Sequence, residues 1–237
     1  MIDAVTFANN YHAFWNEHAP TCEHFVRKIN IGGFERAGFP INIEGKNHHS
    51  YSLIAEMGFS IFVERHNDYC QGNSRKNSEI MEAAWVETER RLSRFLEVGM
   101  SLTKKLVSTH MEEILKISDS IFRMYGGSHD VSTRPSFKGC GYIDESEGDL
   151  IDSDCLIEIK SVNRKMRGTD VRQLITYCAL NELSKQYEIC EIGIFNPRSG
   201  LFFSMPINEV CLEISGRSKI ELFGEIVRAI SSGGISR

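Results

Sequence analysis

The chain has 237 residues, of which 41% are hydrophobic and 25% are charged, and its formal net charge is −5. This length accommodates one large domain, or a domain with a small appendage, and the composition is typical of a soluble globular protein. No apolar stretch approaches the length that crosses a bilayer, and the N-terminus does not resemble a signal peptide. We therefore expect a cytoplasmic protein that is not associated with a membrane.

The cysteines predict neither disulfides nor a metal cluster. There are seven of them, scattered along the chain, and no Cys-x-x-Cys pair occurs. Several lie in apolar segments, as Cys155 and Cys178 do, which favours buried, reduced thiols. No spacing suggests the four thiolate ligands of an iron–sulfur cluster, so none is expected.

The first third of the chain predicts a small α+β unit. Residues 3–17 have the pattern of a short amphipathic helix. Residues 25–66 are rich in glycine and have extended character, which predicts a few short strands. The polar segment 67–77, interrupted by Gly and Asn, is the best candidate for a boundary. We therefore predict an N-terminal appendage at residues 1–75, to which the sequence assigns no role, and a main domain at residues 76–237.

The main domain is predicted to begin with two helices. The first runs from about residue 77 to Gly99, with Glu79 and Glu82 in its first turn, and the second runs from about 101 to 125 and ends at Gly126. The later elements are strands near 129–138, 140–151 and 155–162, a helix at 169–185, a hairpin that turns at 196–200, and a C-terminal helix containing Ile220, Leu222, Phe223, Ile226, Val227 and Ile230.

The strand predicted at 155–162 carries the most informative pattern. Side chains alternate between the faces of a strand, so Glu158 and Lys160 lie on one face while Ile157 and Ile159 lie on the other. Burying a carboxylate and an ammonium on a mostly apolar strand is costly unless each has a partner or a metal ion. Asp149, on the preceding strand, can supply a second carboxylate. Two carboxylates and a lysine at a sheet edge suit a hard divalent cation and a water beside a phosphodiester.

The spacing of these residues resembles a known family. Asp149, eight intervening residues and Glu158-x-Lys160 match the pattern of the PD-(D/E)XK nuclease superfamily. Gln173-x-x-x-Tyr177, on the helix that follows, is similar to the RecB-like branch. The resemblance covers roughly residues 100–205. A second Glu-x-Lys, at Glu44 and Lys46, lies in a polar Gly/Asn/His stretch and is interpreted as a solvated loop.

The resemblance implies a fold and an active site. The fold is an α/β restriction-endonuclease-like core, a mixed central sheet flanked by helices. The site comprises the acidic pair with Lys160, and the helix residues Gln173 and Tyr177, which face it and bind the lysine region, the metal's water or the substrate phosphate. The alternative for that helix pair is a packed Tyr177 beside an exposed Gln173.

A further acidic ligand is expected from a helix that precedes the strands. Glu113 lies at the margin of the apolar face of the 101–125 helix and can reach the edge of the core. An ordinary solvated glutamate is an equally good interpretation. If the core begins one helix earlier, Glu82 or Glu89 takes this place. The predicted Mg²⁺ or Mn²⁺ ligands are therefore Asp149, Glu158, the backbone carbonyl of Ile159, and Glu113.

Basic residues cluster directly after the motif. Arg164, Lys165, Arg167 and Arg172 follow Lys160 within a short segment. Phosphate binding depends on where cations lie and not on the total charge, so the net charge of −5 does not exclude a local basic groove. A solvated loop before a helix is the alternative. Beside the acidic motif, these four residues favour contact with nucleic acid, and with DNA in particular.

The sequence thus predicts a Mg²⁺-dependent nuclease that hydrolyses phosphodiester bonds. Family precedent implies a 5′-phosphate and a 3′-hydroxyl product, and places the protein in repair, restriction or anti-phage defence. Lys160 would orient or deprotonate the attacking water, because burial beside a metal ion lowers the pKa of a lysine. Two alternatives stay open: a nuclease subunit that acts only in a complex or after activation, and a non-catalytic nucleic-acid-binding module. A protein partner for residues 1–75, and self-association, are also left open.

Overall fold

The structure is a computed structural model that describes residues 2–41, 51–93 and 104–233. The predicted helix end at Gly99, the start of the next helix near 101 and the loop containing Glu44 and Lys46 lie outside the described residues. Within the described part of the chain, no helix has both the length and the apolar character needed to cross a membrane. All seven cysteines are free thiols. Cys22, Cys178 and Cys211 are buried, whereas Cys70 and Cys190 are exposed.

Helices predominate among the described residues up to 125, and most of the strands follow, with α8 between β6 and β7. The helices are α1 (Ala4–Asn10), α2 (His12–His18), α3 (Cys22–Gly32), α4 (Tyr51–Gln71), α5 (Asn77–Leu92), α6 (Lys104–Thr109), α7 (Met111–Tyr125), α8 (Gly168–Ser184), α9 (Ile207–Ser215) and α10 (Lys219–Ser232). The strands are β1 (Glu35–Arg36), β2 (Val131–Thr133), β3 (Ser136–Phe137), β4 (Ser146–Glu147), β5 (Leu150–Asp152), β6 (Cys155–Ile159), β7 (Glu191–Asn196) and β8 (Leu201–Pro206).

Six of these strands form one mixed sheet, in the order β1-β8-β7-β6-β5-β2. β6 and β7 are parallel, and α8 is the helix that connects them. The other neighbours are antiparallel, while β3 and β4 form a separate hairpin. The predicted α/β class with a mixed central sheet flanked by helices is therefore confirmed.

Two hydrophobic clusters cover the two faces of this sheet. One contains residues of α1, α2, α3, α8, α9 and α10 packed on Leu156 and Ile194. The other contains residues of α4, α5 and α7 packed on Leu150 and Ile157. Both clusters combine side chains from before and after residue 76, so helices of the N-terminal third cover both faces of the sheet that holds the acidic motif.

The prediction of short strands over residues 25–66 was wrong. Residues 25–32 belong to α3 and residues 51–66 to α4, and the only strand in the described part of this stretch is the two-residue β1 within the connection at 33–41. α4 packs against α5, α7 and the sheet, so apolar side chains surround much of it and no amphipathic period is visible. Its Gly58 permits a close approach to α7, because a Cβ there would lie 2.8 Å from Cγ2 of Ile117.

Other predicted elements differ in extent. The helix predicted at 3–17 is divided at Tyr11 into α1 and α2, and the helix predicted at 101–125 is divided at His110 into α6 and α7. The strand predicted at 129–138 is interrupted because Arg134 has a positive φ of 55°. Within the segment 140–151, only residues 146–147 and 150–151 belong to strands, and β5 continues to Asp152. The sequence did not indicate α9, which begins directly after β8.

The elements around the motif follow the prediction closely. α8 and α10 are confirmed, and β7 and β8 form the predicted hairpin. The turn of this hairpin ends at Gly200, whose φ is +67°. A Cβ at this position would lie 2.3 Å from the carbonyl oxygen of Gly38, so both the backbone angle and the neighbouring chain require glycine.

Candidate active site

Glu158 and Lys160 lie on the face of the sheet that α8 covers. The Lys160 ammonium donates to Oε1 of Glu158 at 2.9 Å and to Oε1 of Gln173 at 3.0 Å. Glu158 is only 6% exposed. A carboxylate at this depth is stable only if it is paired and hydrogen-bonded, and here the lysine and the glutamine provide both. The strand alternation predicted for Glu158 and Lys160 is therefore confirmed.

Gln173 and Tyr177 of α8 complete the hydrogen-bond network. The Gln173 amide donates to Oε1 of Glu158 at 2.9 Å and to the hydroxyl of Tyr177 at 3.0 Å. The Tyr177 hydroxyl donates to the carbonyl of Glu147 at 2.9 Å, and its ring stacks on Phe137. Tyr177 thus fixes Gln173, and Gln173 fixes the pair on β6.

Asp149 lies opposite Glu158 in the antiparallel ladder, because Leu150 pairs with Ile157. Its Oδ2 accepts the backbone N–H of Ile159 at 2.6 Å. Burial, and then the negative charge of Glu158, hold the pKa of Asp149 well above its usual range. Lys160 and the Ile159 N–H act in the opposite direction without overcoming them. The structure thus brings together two carboxylates whose joint ionisation is unfavourable without a further cation.

A cavity of about 180 Å³ opens beside Asp149 and is also lined by Ile159 and Ser161. Glu56 of α4 lines the same cavity, and its charge is another that raises the pKa of Asp149. The Glu56 carboxylate accepts a hydrogen bond from Nη2 of Arg134 at 3.0 Å. Sequence reasoning missed Glu56 because its segment was interpreted as strands, and α4 has no amphipathic pattern that would have indicated a helix there.

The donor set here has the chemistry that a hard divalent cation prefers. In the part of the chain that the structure describes, no three His, Cys, Asp or Glu side chains are arranged as an ion-binding group. Magnesium does not need such a group, because it is commonly held by one or two carboxylates together with waters and substrate phosphates. The opposed carboxylates of Asp149 and Glu158 fit this pattern. A bound cation would offset the repulsion between their negative charges.

Glu113 lies elsewhere. It is buried on α7 and forms an ion pair with Arg198, with His110 at 3.9 Å. It lines a second, larger cavity of about 720 Å³ and not the cavity beside Asp149. Glu82 and Glu89 are exposed on α5, and neither lines either cavity. The structure therefore does not bring Glu113, Glu82 or Glu89 to the cavity beside Asp149, and Glu56 lines this cavity instead.

The four predicted basic contacts separate into two groups. Arg164 and Lys165 line the larger cavity, and Arg167 is exposed at the start of α8. Arg164 forms two hydrogen bonds with Asp170, at 2.7 and 2.8 Å. Arg172 is only 4% exposed and is turned away from this surface, towards Glu23 and the ring of Trp15. Its guanidinium is therefore not presented to a ligand in solution.

The charge state of Lys160 follows from its neighbours. Burial acts to lower its pKa, but the carboxylates of Glu158 and Asp170 outweigh burial and raise the pKa above its ordinary value. The protein's own groups therefore stabilise the ammonium form. This arrangement suits a lysine that places positive charge beside a phosphate better than one that removes a proton from water.

Comparisons with known proteins add no relative: no protein-family model and no curated protein matches this chain.

Proposed function

We propose that this protein is a Mg²⁺-dependent nuclease built on a restriction-endonuclease-like core. The observation that carries the proposal is that Asp149, directly before the inner strand β5, lies opposite Glu158 on the neighbouring inner strand β6, while Gln173 is bonded to both Glu158 and Lys160. The resemblance to the PD-(D/E)XK pattern gives this cluster its chemical interpretation. It also makes DNA the favoured substrate.

Asp149 and Glu158 are the side chains that would hold the ion, with the carbonyl of Ile159 beside them. Glu56 lines the cavity next to Asp149. From there it would bind the ion directly or bind one of the ion's water ligands. When bound, the ion would supply Lewis-acid polarisation of the scissile phosphate. It would also neutralise two carboxylates that repel each other in its absence.

Lys160 would carry a positive charge to the phosphate during hydrolysis. Its ammonium has three donors, of which Glu158 and Gln173 each accept one. Oδ1 of Asp170 lies 3.8 Å from the ammonium, beyond hydrogen-bond distance, so the remaining donor can reach a phosphate oxygen that enters the larger cavity, which Lys160 also lines. Preorganised charge of this kind stabilises a transition state because it needs no reorganisation during the reaction.

The proposal is tested by incubating the purified protein with Mg²⁺ and linear, closed circular and single-stranded DNA. Asp149→Asn is compared with Asp144→Asn, which makes the same chemical change outside the site. We expect metal-dependent cleavage by the wild type and by Asp144→Asn, and none by Asp149→Asn. Cutting of closed circles would identify an endonuclease. Equal cleavage by both variants, or no cleavage by any of the three, would contradict an autonomous nuclease that acts through Asp149.

A further inference from the structure

The larger cavity adjoins the proposed site through Lys160. Its volume is about 720 Å³, and it is lined by residues 30–41, the segment from β6 to α8, the hairpin of β7 and β8, Tyr51 of α4 and Glu113 of α7. Lys160 lines this cavity and also binds Glu158. An occupant of the cavity therefore lies next to the Lys160–Glu158 pair of the proposed active site.

The charges on the cavity wall favour an anion. Five cationic side chains line it against two carboxylates, in a chain whose net charge is −5. Arg198 already neutralises Glu113, and Arg164 neutralises Asp170. Arg36 and Lys165 are exposed, and neither forms an ion pair with another described residue. These two cations are therefore available to phosphate groups.

The remaining wall suits an unpaired base. Phe34, Met166 and Ile194 contribute apolar surface, and the amide of Asn163 is exposed at the cavity. Apolar surface with a few polar groups is the usual lining of a small-molecule site, and the volume lies within the range of roughly 300–1,000 Å³ for such sites. A stacked, paired duplex does not enter a cavity of this size, whereas a nucleotide out of the stack does.

We propose that this cavity binds one or two unstacked nucleotides next to the scissile phosphodiester, so that the substrate is single-stranded nucleic acid or an unpaired strand end. This inference rests on the proposed nuclease function and deepens it. Arg36 and Lys165 contact the strand's phosphates, and the apolar wall around Phe34 receives a base.

The first test measures binding without catalysis. A short fluorescent oligonucleotide, alone or annealed to its complement, is titrated with protein in EDTA at several salt concentrations. The variant Arg36→Glu/Lys165→Glu is compared with Lys138→Glu/Arg228→Glu, which reverses the same number of charges at exposed positions outside the cavity. We expect the wild type to bind the single strand more tightly than the duplex.

The cavity variant should lose about tenfold in single-strand affinity, and its salt slope should fall by about 1.4, because each phosphate contact contributes about 0.7 in a single strand. The control variant should keep the wild-type slope. An uncharged variant, Phe34→Leu, keeps an apolar side chain at the cavity but removes the ring, and should weaken single-strand binding at least about fivefold because stacking of a base on an aromatic ring is lost. Equal affinity for single strand and duplex, or cavity variants that bind like the control, would overturn the inference.

Two further outcomes separate this inference from the proposed function. If the cavity variants lose single-strand binding but the wild type does not cleave with Mg²⁺, the nuclease proposal fails while the strand-binding site stands. If the wild type cleaves duplex DNA and the cavity variants are unimpaired, the nuclease stands and the strand site is wrong. A free mononucleotide that binds as tightly as the oligonucleotide would identify a small-ligand site and would also overturn the strand site.

Discussion

The side-chain amide of Gln173 lies 2.9 Å from Oε1 of Glu158 and joins α8 to the strand β6. Both residues are buried, so this hydrogen bond forms where water cannot replace it. It therefore fixes the carboxylate that the proposed metal site uses.

Gln173→Leu should weaken both folding and catalysis. The leucine keeps most of the volume but leaves Glu158 without the amide donor. We expect the free energy of unfolding to fall by about 1–3 kcal/mol, the cost of an unsatisfied buried polar group. Urea unfolding and Mg²⁺-dependent cleavage measure the two effects. The control Gln71→Leu, exposed at the end of α4, should change stability by less than about 0.5 kcal/mol. Equal effects of the two variants would contradict the role of Gln173.

Asp149→Asn should stabilise the protein while abolishing its activity. The pKa of Asp149 is raised in the folded state, so above its ordinary pKa the ionised carboxyl costs more free energy folded than unfolded. Removing the charge at neutral pH in EDTA should therefore raise the free energy of unfolding, on the order of 1 kcal/mol as is typical of single substitutions.

Mg²⁺ should relieve the same repulsion in the wild type. A ligand that binds only the folded state stabilises it in proportion to its saturation. We expect Mg²⁺ to raise the Tm of the wild type and to leave Asp149→Asn unchanged. A variant that is less stable than the wild type in EDTA, or that gains the same Tm from Mg²⁺, would argue against the opposed carboxylates as the ion's ligands.

The pKa of Asp170 is shifted in the opposite direction to that of Asp149, so ionised Asp170 should stabilise the folded state. Burial acts to raise its pKa, but the hydrogen bond from Arg164 and the charge of Lys160 outweigh burial and lower the pKa. A lowered carboxyl pKa gives stability that is present above the unfolded pKa of about 3.9. That stability is lost as the pH falls through the folded pKa.

Asp170→Asn should therefore be less stable than the wild type at neutral pH, by about 1–3 kcal/mol for a hydrogen bond to a charged group. The difference should shrink as the medium is acidified below the ordinary carboxyl pKa. Urea unfolding of both proteins across this range measures it. If the difference in the free energy of unfolding between the two proteins were the same at all pH values, the effect of the substitution would not be electrostatic.

Glu56 provides a matched pair of variants on one helix. Its side chain is 22% exposed, and that of Glu64, two turns later on α4, is 21% exposed and pairs with Arg75. Glu56→Gln should lower Mn²⁺ affinity and cleavage by about 10- to 100-fold, the usual effect of losing a group that supports metal ligands. Glu64→Gln should change neither. Calorimetric titration with Mn²⁺ measures the affinities, and a normal value for Glu56→Gln would remove it from the site.

The sequence predicted those site residues that lie close to one another along the chain. Glu158, Lys160, Gln173 and Tyr177 lie within a single strand–helix unit. The periods of 2 and 3.6 residues put each pair on one face of its element, and the family resemblance implied that the two faces meet. Asp149 was found because a tight turn joins β5 to β6. Each of these contacts is fixed by local geometry, which a sequence pattern records.

The remaining parts depend on packing that no local pattern records. Glu56 lines the cavity beside Asp149 because α4 packs on the sheet. Since α4 is buried on most sides, its sequence has no amphipathic pattern that would have predicted the helix. Glu113 was predicted from its place on an amphipathic face, but the hairpin turn brings Arg198 to it instead. Arg172 looked like a solvent-facing cation, yet α3 and the ring of Trp15 enclose it.

The most direct test of the central claim compares wild type and Lys160→Ala for Mg²⁺-dependent cleavage, with Mn²⁺ affinity measured on the same samples. Lys116→Ala, an exposed lysine paired with Glu112, is the matched control. We predict that Lys160→Ala binds Mn²⁺ at least as tightly as the wild type, because Glu158 loses its competing cation, and that its cleavage falls at least about 100-fold. Cleavage that persists in Lys160→Ala at the level of Lys116→Ala would contradict the active site described by Asp149, Glu158 and Lys160.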